Sequence, residues 1–195
     1  MTYSLPPLRG GGLGWGVTRG PAPFPPALTP ASGGGNENMP RRSAGLLMFR
    51  RRGGGIELLL IHPGGPFWTN KDLGAWSIPK GECEESEEPL AAAQREFREE
   101  TGWPATAPFL ALGSIKQRSG KVVIAWAFEG DHDPATLTSN TFEMEWPRNS
   151  RRMQSFPEAD RAAWFEPAEA RRRILESQAG LIDELERVLA AQAKE

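Results

Sequence analysis

A single cysteine, Cys83, stands in the 195 residues of this chain, so no disulfide can form within it. A thiol without a partner fits a reducing compartment, and a cytoplasmic location is expected. Nor is there a long apolar run. Stretches 46–49 and 58–61 are strand-sized, far short of the roughly 20 residues that cross a bilayer, so no membrane partner is expected. No apolar stretch follows a basic start, as a secretory leader would require. Excess charge is missing as well. With 23 Lys and Arg against 25 Asp and Glu, the net charge is −2, which argues against bulk nucleic-acid affinity. No clear basic stripe is visible either, so nucleic acid is a disfavoured partner, although Arg148, Arg151 and Arg152 cluster in one loop. Hydrophobic residues at 38% and charged residues at 25% fit one domain with tails.

Residues 1–38 are dominated by Gly and Pro, with almost no charge and no apolar periodicity. Such a segment cannot bury enough apolar surface to offset its ordering entropy, so disorder is expected there and a folded domain over 39–195. Met39-Pro40-Arg41-Arg42 immediately precedes the first apolar run, and Met39 is expected to be the initiator, with 1–38 an upstream extension.

Runs 43–49 and 56–62, separated by RRRGGG, read as a hairpin with a long loop and both faces covered. His62 ends the second run, where a structural role outweighs substrate contact. Segments 110–117 and 122–129 read as two further strands around a Ser-Gly turn at 118–121. In the second, Val122, Ile124, Trp126 and Phe128 share one face, with the smaller Val123, Ala125 and Ala127 opposite. Lys116, Arg118 and Lys121 read as a solvated hairpin rather than phosphate ligands. Asp131-His132-Asp133-Pro134 reads as a turn cluster rather than a metal site. Segment 141–146 alternates as a strand and 147–157 reads as a polar loop. Helices are expected over 167–174 and about 178–193.

The chemistry concentrates in 81–103, GECEESEEPLAAAQREFREETGW. A helix over about 88–100 follows from Pro89 near its start, the alanines at 91–93 and Gly102 as its stop. Leu90, Ala93 and Phe97 recur at helical spacing and should face the core. Glu96, Glu99 and Glu100, at i, i+3 and i+4, then share one face. Carboxylates so close repel unless a cation lies between them, and oxygen-rich sites suit Mg²⁺ or Mn²⁺.

Gly81, Glu87, Arg95, Glu96, Phe97, Glu99, Glu100, Gly102 and Trp103 fill every fixed position of a pattern that resembles the Nudix box. Nine specified positions make this far more specific than a lone glycine motif. The resemblance implies an α/β fold, an αβα sandwich with a mixed sheet. It also implies a loop–helix–loop site for Mg²⁺ or Mn²⁺ and hydrolysis of a nucleoside diphosphate linked to a further group. By this likeness Glu96, Glu99 and Glu100 hold metal, Gly81 lends a backbone carbonyl, and Glu158 approaches from outside the box, with Glu145 in reserve. Glu158 lies six residues before Trp164, as in the late Nudix segment. The general base is Glu99, Glu100 or Glu158. Arg95 belongs to the catalytic set as an orienter of the box carboxylates, with Glu87 as its partner.

Pro79-Lys80-Gly81 resembles the segment in Nudix hydrolases of dinucleoside and diphosphoinositol polyphosphates. Lys80 either places its ammonium near substrate phosphate or is an ordinary loop lysine. A dinucleoside polyphosphate is slightly favoured as the nucleotide-type small-molecule substrate, with nucleoside triphosphates and nucleotide sugars close behind. The alternative from another class is a nucleotide-sensing module that binds without turnover. A homodimer is left open.

Overall fold

The computed structural model of the chain describes residues 42–117 and 120–193. The disorder expected over 1–38, the start at Met39 and the part played by Arg118 in its turn lie outside those residues. Strand β1 (Arg42–Arg52) is the central strand of a mixed sheet. It pairs in parallel with β5 (Val122–Glu129), from Arg42↔Val122 to Phe49↔Glu129. Its other edge is shared. Strand β2 (Gly55–Pro63) takes the C-terminal part, from Phe49↔Leu58, and β3 (Lys80–Glu82) takes Ser43 to Gly45. Beyond β5 lies β4 (Leu110–Lys116), and beyond β2 lies β8 (Ala159–Phe165), both antiparallel to their neighbours.

The β1–β2 connection is tighter than the sequence suggests. Arg52 pairs with Gly55, leaving a two-residue turn at Gly53 and Gly54 with φ of 60° and 83°. Only glycine adopts that pair of angles freely, and the resulting turn follows the natural twist of the strands. The arginines therefore belong to the strand, where Arg50 pairs with Glu57 on β2.

Helix α1 (Pro89–Thr101) covers one face. Glu88 caps its start by accepting the Ala91 N–H at 3.0 Å, and Gly102 ends it at φ 77°. Beneath it Ala92, Ala93 and Phe97 pack with Ala44, Leu46, Met48, Leu59, Trp103 and Phe128. Phe97 is fully buried and meets the edge of Phe128 at 5.1 Å, a contact that fixes the height of α1 above the sheet. The alternate residues of β1, Leu47 and Phe49, point to the opposite face. Helices α2 (Pro167–Arg173) and α3 (Gly180–Gln192) pack there, burying Ala170, Leu181, Ile182 and Leu185. The small face of β5 is the one turned from α1, and Val123, Ala125 and Ala127 are completely buried on it. The arrangement is the expected αβα sandwich with a mixed sheet.

A second sheet has two strands, β6 (Thr141–Glu145) and β7 (Met153–Pro157), in register from Thr141↔Pro157 to Glu145↔Met153. Part of the expected polar loop over 147–157 is thus a strand. Its first three residues are exposed, so burial imposes no apolar alternation on them. No helix among the described residues is long and apolar enough to cross a membrane.

Candidate active site

The short strand β3 runs beside α1, and the two interlock through the carboxylates. A Cβ on Gly81 would fall inside the Glu96 carboxylate, so no side chain but hydrogen fits at that position. One residue earlier, the Lys80 N–H donates to Glu100 Oε2 at 2.7 Å. Glu96 and Glu100 are thereby drawn down onto the β3 backbone and away from water. Desolvation pushes the Glu100 carboxyl up to about 8, with the charges of Glu96 and Glu158 adding to the shift and Lys80 opposing it. Glu96 is raised too, by burial first and by Glu99 and Glu158, against the pull of Arg95.

Arg95 is the organiser of the outer half of this cluster. Its guanidinium donates to both Glu87 oxygens at 3.0 and 3.1 Å, to Glu96 Oε1 at 2.7 Å and to Glu99 Oε2 at 3.1 Å. A further bond of 3.0 Å to the Glu82 carbonyl ties it to the end of β3. The planar fork with five N–H donors is the only side chain that can serve so many acceptors at once. Glu87 is held below the usual carboxylate range by this partner.

Glu158 arrives from the far side of the sequence. It sits between β7 and β8, where its N–H donates to the Asn140 carbonyl at 2.8 Å and its carbonyl accepts the Gly64 N–H at 2.9 Å. Asn140 in turn donates its N–H to the Glu99 carbonyl at 2.9 Å. This backbone chain sets Glu158 beside the end of α1. Its carboxyl is raised by partial desolvation and by the charge of Glu99, with Lys80 opposing. Glu145 is not brought in; it lies at the other end of β6, where its Oε1 accepts the Arg151 N–H.

Among the described residues no three acidic, imidazole or thiol groups already surround one metal-sized point. Arg95 occupies Glu96 and Glu99, and the Lys80 N–H occupies Glu100. The donor set nonetheless suits a hard divalent cation. It consists of carboxylates, partly stripped of water, that raise one another's proton affinity. Gly81→Ala is expected to displace Glu96 and weaken Mn²⁺ affinity tenfold or more, read by titration calorimetry. Unchanged affinity would show that Glu96 has no need of that position.

Other residues singled out in the sequence lie elsewhere. His62 is fully buried, with Nε2 donating to the Lys71 carbonyl and Nδ1 facing Asp160 Oδ1, both at 2.8 Å. Trp76, whose ring meets that of His62, is core and donates its indole N–H to Asp72. His132 stacks on Trp103, while Asp133 caps a short 3₁₀ turn over Pro134–Thr136. Lys121 reaches Glu82 at 3.7 Å. The bridging role of Asn140 escapes sequence reasoning, because it is exerted by backbone atoms alone.

The pattern that defines the NUDIX domain matches residues 39–185. Over 66 residues the chain is 41% identical to the RNA pyrophosphohydrolase of Bartonella henselae, covering 32% of this chain and 35% of that protein. The match therefore spans about a third of the relative's length. Among solved structures, the C. elegans Ap4A hydrolase binary complex superimposes with a TM-score of 0.55 at 21% identity, covering 76% of this chain and 98% of that one. The NUDIX domain of Shewanella oneidensis NrtR, complexed with ADP ribose, gives a TM-score of 0.54 at 15% identity, over 78% and 90% of the two chains. At such identities these likenesses speak for the fold.

Proposed function

The chain belongs to the Nudix family, and from that premise we propose that it is a pyrophosphohydrolase, cleaving a phosphate anhydride in a nucleoside diphosphate derivative. The observation that carries this reading is the carboxylate cluster of Glu96, Glu99, Glu100 and Glu158, gathered about Lys80 and held by Arg95 and Gly81. Nudix hydrolases generally use divalent ions, and Mg²⁺ or Mn²⁺ is the fit for these ligands. Such an ion supplies neutralisation of phosphate charge and a more acidic water. Glu96, Glu99 and Glu100 would hold it, with the Gly81 carbonyl and Glu158 as further ligands.

The protein's own share of the reaction follows from the geometry. Arg95 keeps Glu96 and Glu99 in fixed positions through charge-assisted bonds, so little reorganisation is needed when substrate arrives. Lys80 would offer its ammonium to phosphate oxygens, a role supported by its charge acting on both Glu100 and Glu158. One of Glu99, Glu100 and Glu158 accepts the proton of the attacking water, which enters in line with the leaving phosphate. Among substrates, the Pro79-Lys80-Gly81 likeness puts dinucleoside polyphosphates first, with nucleoside triphosphates and nucleotide sugars close rivals.

The test is release of phosphate and mononucleotide from diadenosine polyphosphates, nucleoside triphosphates, ADP-ribose and nucleotide sugars. Each is run with Mg²⁺, with Mn²⁺ and with EDTA. One class should turn over, and chelation should suppress it at least 100-fold. Binding of nucleotide without turnover anywhere would overturn this reading in favour of the sensing module.

A further inference from the structure

The β6–β7 hairpin takes no part in the chemistry above, yet it rises directly from the carboxylate cluster. Its foot is Asn140 and Glu158, joined by the 2.8 Å backbone bond. From there its paired strands run roughly 13 Å, four steps of about 3.3 Å along five residues. The segment after β2 follows it upward. A Cβ on Gly64 would overlap the Pro157 carbonyl oxygen near the foot, and one on Gly65 would lie 3.2 Å from the Phe142 ring. Two residues further on, Phe67 meets the edge of Trp146 at 5.5 Å and 81°. Phe67 remains 48% exposed, one of few large apolar side chains left in solvent among the described residues.

Beyond that aromatic pair lies the turn. The Trp146 N–H closes it on the Arg152 carbonyl at 2.9 Å, and Arg148, Arg151 and Arg152 are all exposed. Many arginines elsewhere are matched to acids, as Arg50, Arg95, Arg171, Arg173 and Arg187 are, while Arg42, Arg52 and Arg98 are unmatched among the described residues but stand apart from one another in the sequence. The three at the tip have no ion pair among the described residues. Arg151 is held at φ 57° by its N–H bond to Glu145, so the turn is fixed rather than merely polar. In a chain of net charge −2, three exposed arginines on one turn, against the carboxylate of Glu145 alone, make that turn locally positive.

The order along the hairpin is therefore carboxylates, aromatic pair, arginines. We propose that the hairpin receives a nucleotide bearing phosphate on both sides, with its 5′-polyphosphate at the carboxylates, its base against Phe67 and Trp146, and its 3′-phosphate on Arg148, Arg151 and Arg152. This rests on the pyrophosphohydrolase reading and deepens it, moving the preferred substrate from a dinucleoside polyphosphate to a 3′-phosphorylated nucleotide. A free nucleoside triphosphate or diadenosine tetraphosphate has no 3′-phosphate on its ribose and leaves the arginines unused. The 3′-phosphate can end the molecule or continue as an RNA chain; the chemistry at the tip is the same.

Two measurements test this independently. Equilibrium binding compares AMP with adenosine 3′,5′-bisphosphate, for the wild type and for Arg148→Ala/Arg151→Ala/Arg152→Ala. The wild type should prefer the bisphosphate at least fivefold, less so as salt rises, and the variant should bring that ratio close to one. Equal affinity for the two ligands, or a preference that survives the triple change, would overturn the proposal. Turnover then compares ATP, 3′-phosphorylated ATP and the triphosphorylated dinucleotide pppApG, where kcat/KM should favour both 3′-phosphorylated compounds about tenfold through KM. A further gain for pppApG identifies an RNA end as the source, and equal gains identify a terminal phosphate. Absence of all turnover with the binding preference intact would defeat the hydrolase reading while leaving the hairpin site standing.

Discussion

Converting Glu99 and Glu100 together to Gln is expected to lower kcat by about 10³-fold or more while the protein stays folded. The expectation follows from what each group contributes. Glu99 is one of three carboxylates fixed by Arg95, and Glu100 is drawn onto β3 by the Lys80 N–H. Gln keeps the shape and an oxygen acceptor for both donors, so the change removes charge and proton affinity and little else. The singles and Glu158→Gln then apportion the roles. A group that mainly holds metal raises the Mn²⁺ concentration needed for half-activity, and excess metal restores much of its rate. A group that takes the proton loses kcat by about 10²–10⁴ at any metal concentration. Turnover persisting in the double variant would remove these carboxylates from the mechanism altogether.

Much of this arrangement is written locally, and the sequence shows it where local signals agree. Helix α1 is legible because Pro89, the alanines and Gly102 all say the same thing, and its observed ends differ from the expected 88–100 by one residue. Strand β5 is legible to the residue, since its two faces differ in size. What could not be read depends on partners far away in the chain. RRRGGG looks like a loop until Glu57 is seen opposite Arg50, which makes the arginines strand residues and shrinks the turn to Gly53-Gly54. Strand β7 carries no apolar alternation because its first residues have no core to face. Gly81 is marked by the family likeness as a carbonyl donor, but the steric constraint on it, the Glu96 carboxylate fifteen positions later in the chain, is not legible locally. The meeting of Glu158 with Glu99 depends on the backbone bonds of Asn140 and Gly64, which no side-chain pattern announces.

The same crowding of carboxylates makes a second large effect measurable without any substrate. In metal-free protein the Glu100 carboxyl is pushed up to about 8 from an ordinary value of 4.5, chiefly by desolvation. The folded state therefore holds a proton between those values that the unfolded chain has released. Stability must then fall as pH rises through this window, by at most about 1.4 kcal/mol per pH unit, and the full penalty is present above pH 8. Summed over the window, the expected loss is about 2–4 kcal/mol, and the raised Glu96 acts in the same direction. Urea midpoints in EDTA at pH 5 and pH 8.5 measure it, with Glu100→Gln as the reference that subtracts every other titrating group. The wild type should fall further than the variant, because Gln has no proton to lose. Saturating Mn²⁺ should abolish the difference from the wild-type side, since a cation beside Glu100 stabilises the ionised form that burial disfavours. Equal slopes in the two proteins would mean that Glu100 is hydrated in solution and that β3 does not strip it of water. A difference that Mn²⁺ leaves untouched would separate the buried carboxylate from metal binding, and with it Glu100 from the ligand set.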